Sequence, residues 1–387
     1  MRLTMFSAAN DHRCHTPSAM GRAKRLFVAA TGQHKGKTTS TLGIVANLQA
    51  RGLDVGYCKP VGQQHVHVDG QVVDKDAVLF AATLGFDVQS ERHSPVIIGS
   101  GVTAQYIEDP SQFTFEEDIV RAAQSLESQH DIVVYEGTGH TGVGSVVDLS
   151  NAQVAKLLDA PVVLVVEGGI GSTIDQLNLN MALFKEAQVP VKGVIVNKVL
   201  PSKMKPLRPI LQKKFDQLGI PLVGMLPFDK ALSYPIMSTV RSAVQGRILH
   251  NPDRMANRVE QTLAGSLIEI DEFDEFRNVL LVVSHTRFNE AIHKIKHKFL
   301  EMAVDECPLS GIVVTGDGRR GMLLQEDDFN DPYLNENNVP VIATRLETYD
   351  AVVLVSRIEV KINTETAWKV RRAIQLIGEH VDLDQLL

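Results

Sequence analysis

The segment LFVAATGQHKGKTTSTLG, Leu26 to Gly43, constrains this chain more than any other stretch. An apolar run passes into a glycine-bearing loop, then Gly-Lys-Thr-Thr, then a stretch with helical apolar spacing. Strand, tight loop and helix in that order gather backbone N–H groups around an anion, because small residues let the chain wrap it and the helix N-terminus adds its dipole. A lysine reaching the outer phosphates and a hydroxyl for Mg2+ complete such a phosphate-binding loop. Gly32, Gly36, Lys37, Thr38 and Thr39 stand at those places. The usual pattern has a glycine five residues before the Gly-Lys pair. Thr31 stands there instead, so the strict motif is not met.

The apolar runs LFVAA, DVGYC, DIVVYE, APVVLVVE, VKGVIVN and PLVGML recur between stretches of helical spacing such as Thr38 to Arg51, Ala152 to Leu158 and Leu207 to Leu218. Short runs rich in Val and Ile, polar only at their ends, predict parallel strands buried on both faces. The expected fold class is α/β, a mostly parallel sheet in a first domain over 25–236. A flexible tail over 1–24 precedes it, a helical connector over 237–268 follows, and the runs NVLLVVS, LSGIVVTGDG and VPVIATR predict a smaller α/β domain over 269–387. That domain is expected to end in a helix from Thr364 to Gly378, with Trp368, the only tryptophan, as a core or interface anchor.

A net charge of -7 gives no field for phosphate backbones or anionic membranes, so the partner expected is a small metabolite, with no nucleic acid and no membrane. No apolar run approaches the ~20 residues of a membrane helix. Cys14, Cys58 and Cys307 are scattered and odd in number, which predicts the reducing cytoplasm. The first residues do not read as a secretory signal, and translation could start at Met1 or Met20.

ATGQHKGKTTSTLGIVANLQARGLDVGYCKPVG, VVYEGTGH and VIVNKV together resemble the dethiobiotin synthetase-like P-loop family. That family includes the ATPase part of cobyrinic acid a,c-diamide synthases and the N-terminal region of long phosphotransacetylases. A threonine in place of the loop's first glycine is a feature of dethiobiotin synthetases, so the resemblance brings Thr31 into the nucleotide site. It implies Lys37 as the P-loop lysine, and Thr38, Asp76 and Glu136 as Mg2+ ligands. Lys59 is similar to the family's substrate-side lysine, which holds an amine or carbamate activated by ATP; the sequence after it, GQQHVHVDG, diverges. Glu-Gly-Thr-Gly-His, with Gly137, Thr138, Gly139 and His140, looks like a phosphotransacetylase substrate loop. Asn197 and Pro227 match adenine-binding loops. Val199 and Leu200 follow Asn197-Lys198 where a guanine-reading acid would stand, so ATP is expected over GTP.

The C-terminal runs look like a DRTGG domain, with a degenerate motif at SHTRFNE, Ser284 to Glu290. The resemblance therefore implies a Mg2+-dependent ATP-binding protein, regulatory or metabolite-sensing, without an acetyltransferase portion and dimeric through its P-loop domain. The alternative is an ATP-dependent ligase of the dethiobiotin synthetase or cobyrinic acid a,c-diamide synthase type acting on a small carboxylate or amine. His65, His67 and Asp69 alternate and would share one strand face; such a histidine pair without a fourth ligand is more often solvated than metal-bound.

Overall fold

The run that begins at Leu26 becomes β1 (Lys24–Ala30), whose side chains alternate between two cores. Phe27 and Ala29 face one, and Leu26, Val28 and Ala30 the other. A strand apolar on both faces needs cover on both, which a parallel sheet with helical crossovers supplies. The computed structural model describes residues 24–265, 277–302, 307–318 and 323–387. Most of the tail expected over 1–24, with Cys14 and Met20, and the last residues of the expected connector lie outside the described residues.

After β1 come β2 (Val55–Cys58), β3 (Val61–Gly62), β4 (His65–Val68), β5 (Gln71–Asp74), β6 (Val96–Ile97), β7 (Ile132–Glu136), β8 (Val162–Glu167), β9 (Val191–Val199) and β10 (Leu222–Pro227). The central sheet runs β10-β9-β8-β1-β7-β2, and every neighbouring pair is parallel. The carboxyl ends of all its strands therefore share one edge, where α/β proteins bind ligands. The helices Phe115–Glu127, Asn151–Leu157, Gly171–Glu186 and Met204–Leu218 bury apolar side chains in the core that holds Phe27. The helices Lys37–Ala50 and Lys75–Leu84 cover part of the opposite face.

The remaining cover on that face comes from the far end of the chain. The helix Ala367–His380 puts Leu376 and Ile377 into the core with Leu42, Val45 and Val223. Asn47 Nδ2 donates to the Ile374 carbonyl at 2.8 Å. A Cβ on Gly43 would stand 2.3 Å from Ile377 Cγ1, so glycine is what permits the close helix approach. The expected unit over 269–387 is corrected here: its last helix belongs with the first sheet. An amphipathic helix advertises an apolar face but not the surface it covers.

A second sheet joins β11 (Arg247–His250), β12 (Gln261–Ala264), β13 (Val279–Ser284), β14 (Leu309–Thr315) and β15 (Val341–Thr344) in the order β11-β15-β14-β13-β12. β11 is antiparallel to β15 and the other pairs are parallel. The helical connector expected over 237–268 is also corrected. Among its described residues only Met237–Ala243 is α-helical, and β11 and β12 are edge strands of the second sheet. Four-residue strands at an edge are too short to show periodicity in a sequence. Ser284 to Glu290 spans the end of β13, a short turn and the start of the helix Phe288–Met302. Trp368 is half-buried under the Arg258 guanidinium, 5.1 Å from its ring, and so links the approach to β12 with the C-terminal helix. Among the described residues no helix is long and apolar enough to cross a membrane.

Candidate functional site

β1 ends in a loop whose shape depends on Gly36. This residue has φ +91°, and a Cβ there would fall 1.9 Å from Asn197 Nδ2. Asn197, near the end of β9, donates from Nδ2 to the Lys35 carbonyl at 2.9 Å and accepts from the Lys198 amide at 2.8 Å. Both ends of its amide are thus engaged with backbone. Lys198 Nζ donates to the His34 carbonyl at 2.7 Å, a second support from the same strand. The helix Lys37–Ala50 then starts with its N-terminus open to the loop, and no side chain caps it.

Glu136 closes β7 with no solvent exposure. Lys37 Nζ donates to Glu136 Oε1 at 2.7 Å and Thr38 Oγ1 donates to the same oxygen at 2.6 Å, while the Tyr57 hydroxyl donates to Oε2 at 3.1 Å. Beside this group, Lys59 Nζ donates to Asp74 Oδ1 at 2.9 Å and to Asp76 Oδ2. Burial pushes the Asp76 carboxyl up, but the ammoniums of Lys59 and Lys37 outweigh it and hold the group below its ordinary value. Burial likewise opposes the Lys59 charge, and the carboxylates of Asp76, Asp74 and Glu136 raise it above the ordinary lysine range. Alternating cations and anions are what make such burial tolerable.

Lys37, Thr38, Lys59 and Asp76 border a cavity of about 530 Å³. It brings together Gly32, Gly36, Lys37, Thr38, Thr39, Lys59, Asp76, Thr138, Gly139, Asn197 and Pro227. Thr31, Glu136, Gly137 and His140 do not form its wall. Glu136 stands behind Lys37 and Thr38, Thr31 is buried with its hydroxyl unpaired, and His140 is exposed with Nδ1 accepting from the Gly142 amide at 3.2 Å. The Thr138 hydroxyl donates to the Val61 carbonyl, and Asn151 Nδ2 donates to the carbonyls of Thr138 and His140 at 2.7 Å each, which fixes the glycine-rich loop. His65 and His67 share a face of β4 with ring centroids 6.3 Å apart, and no cluster of three potential metal ligands forms among the described residues.

The donor set fits a nucleoside phosphate with a hard divalent cation: a loop in which Gly36 leaves no room for a side chain, an ammonium at its end, and oxygens of Thr38, Asp76 and Glu136. Residues 24–235, more than half the chain, match the family described as AAA domain. The chain belongs to that family. A phosphate acetyltransferase of Nitrosomonas europaea is 25% identical to this AAA-domain protein over 376 residues, covering 93% of this chain and 51% of the relative. ATP-dependent dethiobiotin synthetase BioD of Nitrosospira multiformis is 27% identical over 216 residues, 54% of this chain and 91% of the relative. The MinC:MinD cell division protein complex of Aquifex aeolicus aligns with a TM-score of 0.35 at 15% identity, over 55% of this chain and 84% of that one. The chain spans about half the length of the phosphate acetyltransferases it matches. The resemblance to P-loop proteins of the dethiobiotin synthetase and phosphotransacetylase kind is therefore met.

Beyond Pro227, the opposite wall of the cavity was not expected from the sequence. Phe228, Asp229, Leu232 and Ser233 come from the segment after β10, and Ile358 to Ile362 with Lys369 come from the C-terminal part. Pro227, matched to adenine-binding loops, was the only signal near the first group, whereas the second follows from the return of the C-terminal helix and carries no motif.

Proposed function

We propose that this chain is a Mg2+-dependent ATP-binding protein with a regulatory role, in which the nucleotide site governs how the second sheet sits against the first. One observation carries this reading: the wall of a single cavity is built jointly by the loop Gly32–Thr39 and by Ile358 to Ile362, the segment that leads out of the second sheet's unit. In it Lys37 neutralises the outer phosphates, Thr38 holds Mg2+, and Asp76 and Glu136 complete the metal's surroundings directly or through water. The second sheet, read as DRTGG-like, takes up a small metabolite or a partner surface. We take the protein to be cytoplasmic, as its scattered cysteines suggest, and dimeric, as the resemblance implies.

A ligase reading has its own support. Lys59 lines the cavity beside Thr138 and Gly139, where an acceptor would lie, and a dethiobiotin synthetase is among the relatives. Thermal unfolding with ATP and Mg2+ tests the shared core of both readings. ATP should raise Tm, GTP should raise it less, and Lys37→Ala should remove the shift. A full shift in that variant would refute the nucleotide site. Phosphate release measured with a panel of carboxylates, amines and acyl-CoA compounds then separates the two: stimulation by one class selects the ligase, binding without turnover the regulator.

A further inference from the structure

The C-terminal arm reaches the cavity at two points. Residues Ile358 to Ile362 pass over the loop, where His34 Nε2 lies 2.8 Å from Glu359 Oε2 and Lys361 Nζ donates to Gln64 Oε1 at 3.0 Å. Lys361 lines the same cavity as Lys37, Lys59 and Asp76. Burial pushes its ammonium below the ordinary value, Asp76 pulls it back up, and Lys59 and Lys37 push it down again. A polyanion entering the cavity would relieve that crowding of positive charge.

Lys369, in the first turn of the helix Ala367–His380, is the second point. It lines the cavity, it is 1% exposed, and its Nζ has no hydrogen-bond partner among the described residues. The Trp368 ring lies 5.0 Å from it, and burial alone pushes the ammonium down to about 8. Its helix packs against the turn Lys230–Ser233, which lines the same side. A buried ammonium with unused donors in the wall of this cavity has the chemistry to bind a ligand acceptor atom, and without one only the Trp368 ring offsets its desolvation.

We propose that the arm is itself a nucleotide-binding element: Lys361 meets the outer phosphate of a nucleoside triphosphate and Lys369 an acceptor atom of the nucleoside, so that binding fastens the arm onto the first sheet. The inference rests on the nucleotide site proposed above. It makes the triphosphate a bridge between segments more than 300 residues apart in the chain.

The full chain is titrated with ATP and Mg2+ by calorimetry, and hydrogen exchange is followed in residues 357–366. ATP should slow exchange there. Lys369→Met should raise the ligand-free Tm, since an unpaired buried charge is gone, and weaken ATP binding tenfold or more. Lys361→Gln should weaken ATP by several-fold and ADP by less. If both variants bind ATP within twofold of the parent and exchange in the arm is unchanged, while Lys37→Ala has lost binding, the arm proposal is overturned and the nucleotide site stands. If Lys37→Ala binds as the parent does, the nucleotide site fails and the arm proposal with it. Should Lys369→Met not fold, Lys361→Gln and the exchange measurement decide the question.

Discussion

The two walls of the cavity are built on opposite principles. On the side of the Gly-Lys-Thr loop, Lys37, Thr38 and Tyr57 all donate to Glu136, and Lys59 lies between two carboxylates. That wall is organised by its own ion pairs. On the arm side, the Lys369 ammonium lies against the Trp368 ring but has no hydrogen-bond partner among the described residues, and the arm is tied to the loop side through Glu359 with His34 and Lys361 with Gln64. A fully paired wall resists change because removing any member strands another in low dielectric. A sparsely tied wall can respond to a ligand, since its contacts are individually weak. In the regulatory reading proposed above, the paired half would hold the ligand and the sparsely tied half would report it.

The most severe test of the paired wall is Lys59→Ala. Asp74 is fully buried and would keep hydrogen bonds from the amides of Gln63 and Asp76, but lose the only ammonium donating to it. We expect a loss of about 3–5 kcal/mol in denaturant unfolding, the range for breaking a buried ion pair from one side. Pairing Lys59→Met with Asp74→Asn should restore much of it. A loss under about 1 kcal/mol would mean that the wall is not held by its charges. Loss of turnover in Lys59→Ala would therefore not by itself place this lysine at a reacting centre.

A second test of the same wall uses pH. Burial holds His93 down at about 4; the Arg92 and His130 charges push the same way, and a backbone bond to Gln89 opposes them. The ring stacks on Phe86 at 4.6 Å, and the His93 carbonyl accepts from the Lys59 amide at 2.9 Å. An ordinary histidine titrates near 6.5, so between about 6.5 and 4 the unfolded chain binds the extra proton and the folded one does not. Stability is then complete above about pH 6.5 and falls as the pH drops toward 4, by about 3 kcal/mol from this residue. Unfolding curves across that window should flatten in His93→Gln; an unchanged slope would assign the loss to other groups.

How much of this was legible follows the same division. The loop wall is written locally: Gly36 to Thr39 are contiguous, and Glu136 closes an apolar strand, so residue type and position were enough to single these residues out. The parallel sheet was also legible, because strands buried on both faces leave runs such as VVLVV. What could not be read was assembly at a distance. Gly43 and Ile377 show no relation in sequence, although each explains the other in space. Lys369 sits on a helix that reads as amphipathic, where a lysine is ordinarily a solvated residue. Arg247–His250 and Gln261–Ala264 failed for another reason: strands this short take their identity from the sheet they join.

The mildest test probes how the arm is attached. Arg372 donates through Nε to Asp229 Oδ2, and Asp229 Oδ1 in turn accepts from the Ala231 amide at 2.9 Å, at the turn that lines the cavity. The guanidinium is partly exposed, so water and salt compete for it, and a pair of this kind contributes up to about 1 kcal/mol. The apolar contacts of the helix remain without it: Leu376 and Ile377 stay in the core, Asn47 still reaches the Ile374 carbonyl, and Val381 still pairs with Gly224. Arg372→Ala should therefore cost no more than about 1 kcal/mol in denaturant unfolding, and less at high salt. A loss above about 2 kcal/mol would mean that the arm depends on polar fastening as the paired wall does, and the contrast between the two walls would collapse. A small loss in stability joined to a clear loss in ATP affinity would sharpen it, because the turn that Asp229 orders would then matter to the ligand more than to the fold.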